Sequence, residues 1–320
     1  MLNRYVILAN PGSKRWELYS QELHHFWEEQ QDAAEIHLLP WIEVLNQKGD
    51  LSGFPEFEKS ALVRLESPGR DFEVTKALLQ LGDPAQSWDE LPYRKGHLLQ
   101  PGALYRGFCN ALQRIDETLK KPHLLSLCDA GEVMEVFDKN ATLSRFRTRD
   151  LPCPESLTPP EKAEELLQML RAQSWKVTYV KLATGSSASG IAVVRACDRE
   201  PGAITSVVEL EDGFYNTRRL RTVRGQDLRN ILQFILDQGS TVQRGIPMAQ
   251  LEAHNFDVRV LLIHGKIELT MFRLSTMPMT NLHLGGRRGE EQSCKQSIPR
   301  RVWLDAMDSC REVAKLYPGS

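Results

Sequence analysis

The sequence predicts a mixed fold class, in which a small parallel α/β region is followed by an α+β region. Near its beginning, short apolar segments that suit buried strands each precede a segment with helical spacing. Further along, apolar segments flank glycine-containing turns, which is the pattern of antiparallel strands. The chain has 320 residues, of which 41% are hydrophobic, so it can form more than one packed domain.

The first third of the chain repeats a strand–turn–helix pattern, as expected for a parallel sheet. The predicted strands are residues 5–9, 35–39 and 61–65. Ligands of such sheets lie beyond the carboxyl ends of the strands. Residues 10–13 and 66–70 come at these ends and could contact a substrate, although turn-rich segments of this kind are more often plain connectors.

The middle of the chain predicts helices separated by irregular segments. Residues 83–102 have no period and suggest a long excursion, whereas 104–119 and 131–146 have helical spacing. Thr158 is predicted to cap a helix, with Glu161 as the capping-box acid. Beyond the glycine-rich loop at 185–190, the pattern predicts the following elements: strands at 203–210 and 217–223, a helix at 226–236 ending at Gly239, and a hairpin formed by 256–263 and 266–273.

Composition excludes several classes of partner. The net charge is −2, so no overall field attracts nucleic acid or an anionic membrane. No apolar segment reaches the length of a membrane span or of a signal-peptide core, so we expect a cytoplasmic protein without a membrane partner. The six cysteines are scattered without a C-x-x-C pair, which argues against a zinc site or a disulfide framework.

The loop between the predicted strands ending near Lys181 and beginning at Ile191 could bind an anion. It contains two glycines and three serines but no acid: Gly185, Ser186, Ser187, Ser189 and Gly190. Its backbone N–H groups and hydroxyls could therefore surround a phosphate, with Lys181 as the nearby cation. Ile191 and Ala192 stand where a Walker A loop needs lysine and a hydroxyl residue, so this is not a P-loop. The alternative is a flexible hairpin with a solvated lysine.

Two later segments also carry polar groups in a pattern. Asp257 and Arg259 share one face of the predicted hairpin, and Arg273 lies on its second strand; they could be cross-strand ion pairs on a solvent face. Asn281 and His283 lie in a loop with three glycines, which favours an anion or nucleotide role. The arginines that follow in this loop suit an acidic partner, although adjacent loop arginines are more often solvated.

The order of these elements resembles that of ATP-grasp enzymes. The elements are Lys139, Lys181, the loop 185–190, the Asp257–Arg259 strand, Arg273 and the run 281–286. Within that superfamily the chain is most similar to the branch of ribosomal-protein glutamate ligase and glutathione synthetase. Residues 181–190 and 278–289 look closer still to a poorly characterised bacterial ATP-grasp family encoded in a small gene cluster. The resemblance covers nearly the whole chain.

This resemblance implies a pre-ATP-grasp-like domain at 1–125, an N-terminal ATP-grasp lobe at 126–241 and an incomplete C-terminal lobe at 242–320. Lys139 and Lys181 would hold the phosphates of ATP beneath the loop 185–190, which would act as a lid. The other carried-over cofactor contacts are Gln243, Arg244 and Ile246 near adenine, Asp257 and Arg259 near ribose and phosphate, and Asn281 and His283. Gln243 and Arg244 depart from the acid–aromatic pair common at this position. Arg273 and Asn281 would be the catalytic groups around the transferred phosphoryl.

The family coordinates Mg²⁺ with an acid on a late strand and with a Glu-x-Asn motif, and neither motif is present before Ser320. We expect the metal ligands to lie beyond Ser320, in a longer protein, or the chain to be a nucleotide binder without a complete catalytic site.

The resemblance implies an ATP-dependent carboxylate–amine or carboxylate–thiol ligase that acts through an acyl phosphate, with a carboxylate-bearing small molecule or peptide as partner. The alternatives are a non-catalytic nucleotide-binding or partner-binding protein, and a kinase that acts on a hydroxyl acceptor.

Overall fold

The computed structural model describes residues 2–69, 71–196 and 200–319, so the Arg70 end of the predicted segment 66–70 lies outside the described residues. The chain forms two compact units. The first contains residues up to 94, residues 102–136 and the last residues from 319; the second contains 95–101 and 137–318. Residues 95–101, near the end of the irregular segment predicted at 83–102, therefore belong to the second unit. The division into lobes at 241 stays a prediction.

The first unit contains the predicted parallel sheet. Its strands are β1 (Arg4–Ala9), β2 (Glu35–Pro40), β3 (Ala61–Leu65) and β4 (Leu124–Ser126), and they lie in the order β2-β1-β3-β4. All six residues of β1 are buried, which explains its continuous apolar sequence. β2 and β3 pair with opposite edges of β1, and all three pairings in this sheet are parallel. The carboxyl ends of β1 and β3 meet, and there the Asn10 side chain donates to the Pro68 carbonyl.

The α-helices in the described residues of this part of the chain are α1 (Lys14–Glu29), α2 (Trp41–Asn46), α3 (Phe72–Gly82), α4 (Pro101–Leu119) and α5 (Ala130–Phe137). α3 and α4 pack closely because glycines face each other across them. A Cβ at Gly107 would lie 1.8 Å from the Leu78 carbonyl oxygen, and a Cβ at Gly82 would lie 1.8 Å from that of Ala103. Only glycine allows this distance between the two helices.

Two predicted helix boundaries are wrong. The single helix predicted over 131–146 is divided at Asp138, where α5 ends and α6 (Lys139–Arg147) begins. The Asp138 carboxylate accepts from the backbone N–H groups of Asn140 and Ala141, and this cap starts a new helix. Thr158 does not cap α7 (Ala163–Ala172), which begins after Lys162. Pro159 would be the first helical residue, but it precedes Pro160, and a residue before proline disfavours helical backbone.

A six-stranded antiparallel sheet forms the centre of the second unit, in the order β5-β10-β6-β7-β8-β9. Its strands are β5 (Ser156–Leu157), β6 (Thr178–Leu182), β7 (Ile191–Arg195), β8 (Gly202–Leu210), β9 (Gly213–Arg224) and β10 (Ser240–Arg244). Helices α7 and α8 (Gly225–Asp237) cover one face, where Leu166 and Ile231 pack with Val180 and Leu182. The opposite face therefore remains available to other segments.

A second antiparallel sheet contains the predicted hairpin. Its strands, β11 (Ala249–Leu251), β12 (His254–Ile263), β13 (Lys266–Ser275) and β14 (Arg287–Arg288), lie in this order, and α9 (Glu291–Gln296) and α10 (Arg300–Leu316) follow. Positive φ angles at His264 and Gly265 form the tight turn of the hairpin. Phe272 stacks on Trp303 of α10 and fixes the apolar face of the sheet. The predicted parallel and antiparallel regions are thus confirmed. None of the helices within the described ranges could cross a membrane.

The cap at Asp138 leads to a first prediction. Asp138→Ala removes the acceptor for the first N–H groups of α6, so we expect the free energy of unfolding to fall by about 1 kcal/mol. Urea denaturation followed by circular dichroism measures this change. Asp71→Ala removes the equivalent cap of α3, where Asp71 accepts from Val74 N–H, and is the matched control with a similar loss. An unchanged midpoint in Asp138→Ala would contradict the capping role.

Candidate functional site

The free face of the six-stranded sheet carries polar side chains in rows. Strand pairing aligns Thr241, Lys181 and Ile191 in one row, and Gln243, Tyr179 and Val193 in the next. Because side chains alternate along a strand, these residues lie on the face opposite Val180 and Leu182. The row of Lys181 leads directly into the glycine- and serine-containing loop.

The Lys181 side chain is partly buried. Burial lowers the pKa of Lys181, because the charged form loses hydration. Within residues 2–69, 71–196 and 200–319, no hydrogen bond or ion pair engages its Nζ atom. The charge of Lys181 is therefore not balanced by any carboxylate contact in this part of the chain.

Lys139 lies beside Lys181 at the first position of α6. Its Nζ atom donates to the Ala183 carbonyl at 2.9 Å and to the Gly185 carbonyl. Burial and, secondly, the charge of Lys181 lower the pKa of Lys139 to about 8, while Asp138 partly opposes this change. An ammonium group carries three donors, so one donor of Lys139 remains for an anion.

The loop between β6 and β7 forms a closed turn next to both lysines. Leu182 N–H donates to the Gly190 carbonyl, and Ser189 N–H donates to the Ser186 carbonyl, each at 2.9 Å. Ser187 and Gly190 both have positive φ angles, 54° and 60°. The Ser186 and Ser187 side chains are exposed. These contacts bring the predicted loop residues and both lysines together at one end of the sheet.

The second group of predicted residues is on the hairpin. Asp257 and Arg273 lie directly opposite each other, and the guanidinium binds the carboxylate through two contacts, including Nε to Oδ1 at 2.8 Å. Thr280 Oγ1 also donates to Asp257 Oδ2 at 2.7 Å. The cross-strand ion pair given above as an alternative is therefore present. Arg259, two residues along the same face from Asp257, is exposed and has no ion pair among the described residues.

The segment 279–286 connects these two groups. Thr280 contacts Asp257, and His283 Nε2 donates to the Ser187 carbonyl at 2.7 Å. Met279 and Leu284 pack with Ile191 and Val193 on the free face of the sheet. Asn281 shapes the segment through its carbonyl, which accepts from two backbone N–H groups further along; in the described part of the chain its side-chain amide has no partner.

The predicted adenine contacts do not all lie on the same face of the six-stranded sheet. Gln243 is buried and shares a face with Tyr179, next to the row of Lys181. Arg244 is its neighbour on the strand and therefore points to the other face, where Nη1 pairs with Glu155 Oε1 at 2.7 Å. Ile246 is 57% exposed just after the strand. Thus Gln243 joins the lysine face and Arg244 does not.

Sequence reasoning missed three polar residues around the lysines. Tyr179 donates its hydroxyl to the Pro278 carbonyl at 2.9 Å, and burial raises the pKa of Tyr179. Thr241 Oγ1 donates to the Asn140 side chain at 2.8 Å, and Asn140 donates to the Ser240 carbonyl. Tyr179 lies two residues before Lys181, so strand alternation alone could have identified it. No sequence pattern links Thr241 or Asn140 to Lys181, because both are distant from it in the chain.

No group of three or more histidine, cysteine, aspartate or glutamate side chains within the described ranges could hold a metal ion. Both oxygens of Asp257 accept hydrogen bonds from Arg273 or Thr280.

The sequence matches no protein-family model and no curated protein. Solved structures with some likeness include D-cycloserine synthetase DcsG, at 11% identity and TM-score 0.48 over 92% of this chain and 78% of that one. A D-alanine–D-alanine ligase from Bacillus anthracis complexed with ATP aligns at 10% identity and TM-score 0.46 over 98% and 77%. D-alanyl-alanine synthetase A from Vibrio cholerae aligns at 11% and 0.38 over 85% and 66%. With TM-scores below 0.5, the interpretation of the site depends on the residues of this chain.

The lowered pKa of Lys139 leads to a second prediction. Unfolded lysine has a pKa near 10.4, so between pH 8 and that value the unfolded chain binds more protons than the folded chain. Stability therefore rises with pH through this window. Between pH 7.5 and 9.5, the free energy of unfolding of the wild type should rise by about 2 kcal/mol more than that of Lys139→Gln, whose amide does not titrate. Parallel urea titrations measure this difference; equal changes in both proteins would show that Lys139 has an ordinary pKa.

Proposed function

We propose that this chain binds the triphosphate of ATP at the Lys139–Lys181 face and belongs to the ATP-grasp superfamily. One observation carries the proposal, namely two neighbouring, partly buried ammonium groups with no carboxylate contact among the described residues. Placing two like charges together away from water is costly. Such an arrangement is favourable when an anion binds between the charges, and a triphosphate supplies several negative oxygens at once.

The surrounding residues fit a triphosphate. Lys139 retains one free ammonium donor, and Lys181 retains all of its donors within the described chain. The loop 185–190 adds exposed hydroxyls, and His283 holds it through Ser187. Gln243 and Ile246 would border the adenine, while the exposed Arg259 lies on the same face of the hairpin as Asp257 and would favour a phosphate or ribose group.

Magnesium ordinarily accompanies ATP, but the described residues do not fit a protein-held magnesium site. Mg²⁺ requires oxygen ligands, usually carboxylates together with substrate phosphates. The described chain has no acidic cluster of that kind, and Asp257 is committed to Arg273 and Thr280. We therefore assign no step of the reaction to a metal ligand on this chain.

The reaction that we propose is ATP-dependent ligation of a carboxylate. A carboxylate oxygen forms a bond to the γ-phosphorus, the bond from that phosphorus to the β,γ-bridging oxygen breaks, and ADP leaves with an acyl phosphate as product. An amine or thiol then attacks the acyl carbon, phosphate leaves and the nucleophile loses its proton. Lys139 and Lys181 would neutralise the phosphates, and Arg273 and Asn281 would stabilise and orient the transferred group.

A non-catalytic nucleotide-binding protein is the second candidate, and the state of Arg273 favours it. The guanidinium is nearly buried and is paired with Asp257 through two donors, so much of its charge is already balanced. A stabiliser of phosphoryl transfer needs charge directed at the developing negative charge. Asn281, by contrast, keeps its amide free within the described chain, as an orienting group requires.

The nucleotide proposal predicts the behaviour of lysine variants. Lys181→Gln and Lys139→Gln each remove a charge-assisted contact worth about 1.5–3 kcal/mol, so ATP affinity should fall roughly ten- to a hundredfold in each. Isothermal titration calorimetry with Mg–ATP measures the affinity, and circular dichroism verifies the fold. Lys162→Gln, which removes an exposed lysine before α7, is the matched control and should bind as the wild type does. Unchanged affinity in both site variants would refute the proposal.

Activity separates the two candidates. Incubation of the wild type with Mg–ATP, a panel of carboxylates and hydroxylamine, which traps acyl phosphates, should release ADP and form hydroxamate only when a suitable carboxylate is present. Hydroxamate formation supports the ligase. ATP binding without ADP release for any carboxylate, amine or thiol supports the binding protein, and a stable phosphate ester on a hydroxyl compound would instead indicate a kinase.

A pH dependence should accompany ATP binding. A triphosphate binds the ammonium form of Lys139, whose pKa near 8 makes that form scarce at higher pH. Above pH 8, ATP affinity should fall, and by pH 9 the loss should be about tenfold. In Lys139→Arg, the guanidinium stays charged throughout, so the fall should be smaller. Calorimetry from pH 7.5 to 9.5 tests this, and an identical fall in both proteins would exclude Lys139 as the titrating group.

A further inference from the structure

A separate cleft lies at the other end of the same sheet face. It has a volume of about 450 Å³. Its wall is mainly apolar and includes Val177, Val193, Ile204, Met277 and Pro278. Its apolar wall begins at Val193, in the row next to that of Lys181, whereas Arg195 follows Ile191 of the lysine row by four residues, about 13 Å along the strand. The nucleotide residues do not line it.

Two arginines stand at the edge of this cleft with a glycine between them. Strand pairing places Arg195 opposite Gly202, and Gly202 opposite Arg224. Both arginines are exposed and line the cleft. Across the part of the chain that the structure describes, neither guanidinium has an ion pair. Both are thus available to a ligand.

Gly202 creates the space between the two arginine side chains. A Cβ at this position would lie 3.4 Å from Cγ and from Nε of Arg224, so any larger side chain would fill the gap. The φ angle of Gly202 is one that other residues adopt, so glycine is not required by the backbone. The absence of a side chain here instead leaves room for a group that both guanidiniums can reach.

We propose that this cleft binds a small organic carboxylate with an apolar body. A guanidinium presents a planar pair of donors that matches a carboxylate, and the two arginines flank the space over Gly202. The aliphatic wall would receive the apolar body of the ligand. Glu200 also lines the cleft, so its charge lowers the net positive charge and favours a monoanion over a phosphate dianion. Asn255 adds an amide at the same rim.

The two arginines are not among the residues assigned to ATP, although the cleft wall adjoins the predicted adenine contacts, since Gly245 N–H donates to the Val177 carbonyl at 2.8 Å. A carboxylate held between the two arginines lies about 13 Å along the strand from the lysine row, so its oxygen cannot meet a phosphate held there. The cleft therefore corresponds to an accessory binding site rather than to the acceptor position of a ligase.

The test uses phenylacetate as probe, phenylacetamide as the neutral control and inorganic phosphate as the competing anion. Binding is followed by NMR of isoleucine and valine methyl groups in the full chain without ATP. We expect saturable shifts at Ile204 and Val193 with phenylacetate, weak or no binding of phenylacetamide, and little effect of phosphate. Equal binding of phenylacetate and phenylacetamide, shifts confined to other methyl groups, or phosphate binding as tight as phenylacetate would each overturn the proposal.

Three variants refine this test. Arg195→Gln and Arg224→Gln should each weaken phenylacetate binding about tenfold or more, since each removes a charged donor. Gly202→Val keeps both charges, suits a strand and fills the gap, so it should weaken binding as well. Arg171→Gln on α7, an exposed arginine on the covered side of the sheet, is the matched control and should leave binding unchanged. Wild-type binding in all three cleft variants would overturn the proposal.

The experiment also separates this site from the nucleotide site. Lys181→Gln should lose ATP affinity but keep phenylacetate binding, whereas Arg195→Gln should show the reverse. Loss of phenylacetate binding in Lys181→Gln with the fold intact would mean that the two sites are one, and would overturn the accessory site. Failure of ATP binding in the wild type would leave the phenylacetate result unaffected.

Discussion

The site in the second unit depends on the repulsion between two partly buried lysines. Lys139 and Lys181 lie close enough for the charge of Lys181 to lower the pKa of Lys139, and burial lowers the pKa of both. The Lys139 ammonium group is hydrogen-bonded to the backbone carbonyls of Ala183 and Gly185 and not to a carboxylate. Carbonyl dipoles solvate an ammonium only in part, so the pair remains attractive to an anion. A carboxylate at this place would improve stability and abolish such a site.

Three structural features place Lys139 and Lys181 side by side and close the surface around them. The Asp138 cap divides a predicted helix and places Lys139 at the start of α6. Strand alternation places Lys181 on the sheet face that α7 and α8 leave uncovered. The segment 279–286 then closes over that face, with Leu284 packed on Ile191 and His283 bound to the loop. One face of the sheet is thus covered by helices, and the other carries the two lysines beside an apolar cluster that includes Ile191 and Val193.

The hairpin illustrates how one pair of residues supports two interpretations. Asp257 and Arg273 are paired as expected for a structural cross-strand contact, and Thr280 extends this contact into the segment that reaches the loop. The contact thus fixes the position of Asn281 relative to the sheet. Its structural role is compatible with a site role, because a group that orients a reactant must itself be held.

The sequence by itself determined the local elements and the chemical types of the site residues. Continuous apolar runs fixed β1 and the parallel sheet, alternation and the His264–Gly265 turn fixed the hairpin, and glycine and serine composition marked the loop. These features depend on residues that are close together in the chain, so the local pattern of apolar and polar residues is enough to predict them. Only the tertiary structure decided that Asp138 interrupts a helix, that Arg244 points away from Gln243 and that Thr241 joins the lysine face. It also placed Arg195 and Arg224 on either side of Gly202. Most of these facts depend on strand register, which brings together residues that are distant in the sequence. The helix break at Asp138 depends on a side-chain cap that outweighs the helical spacing of the apolar residues.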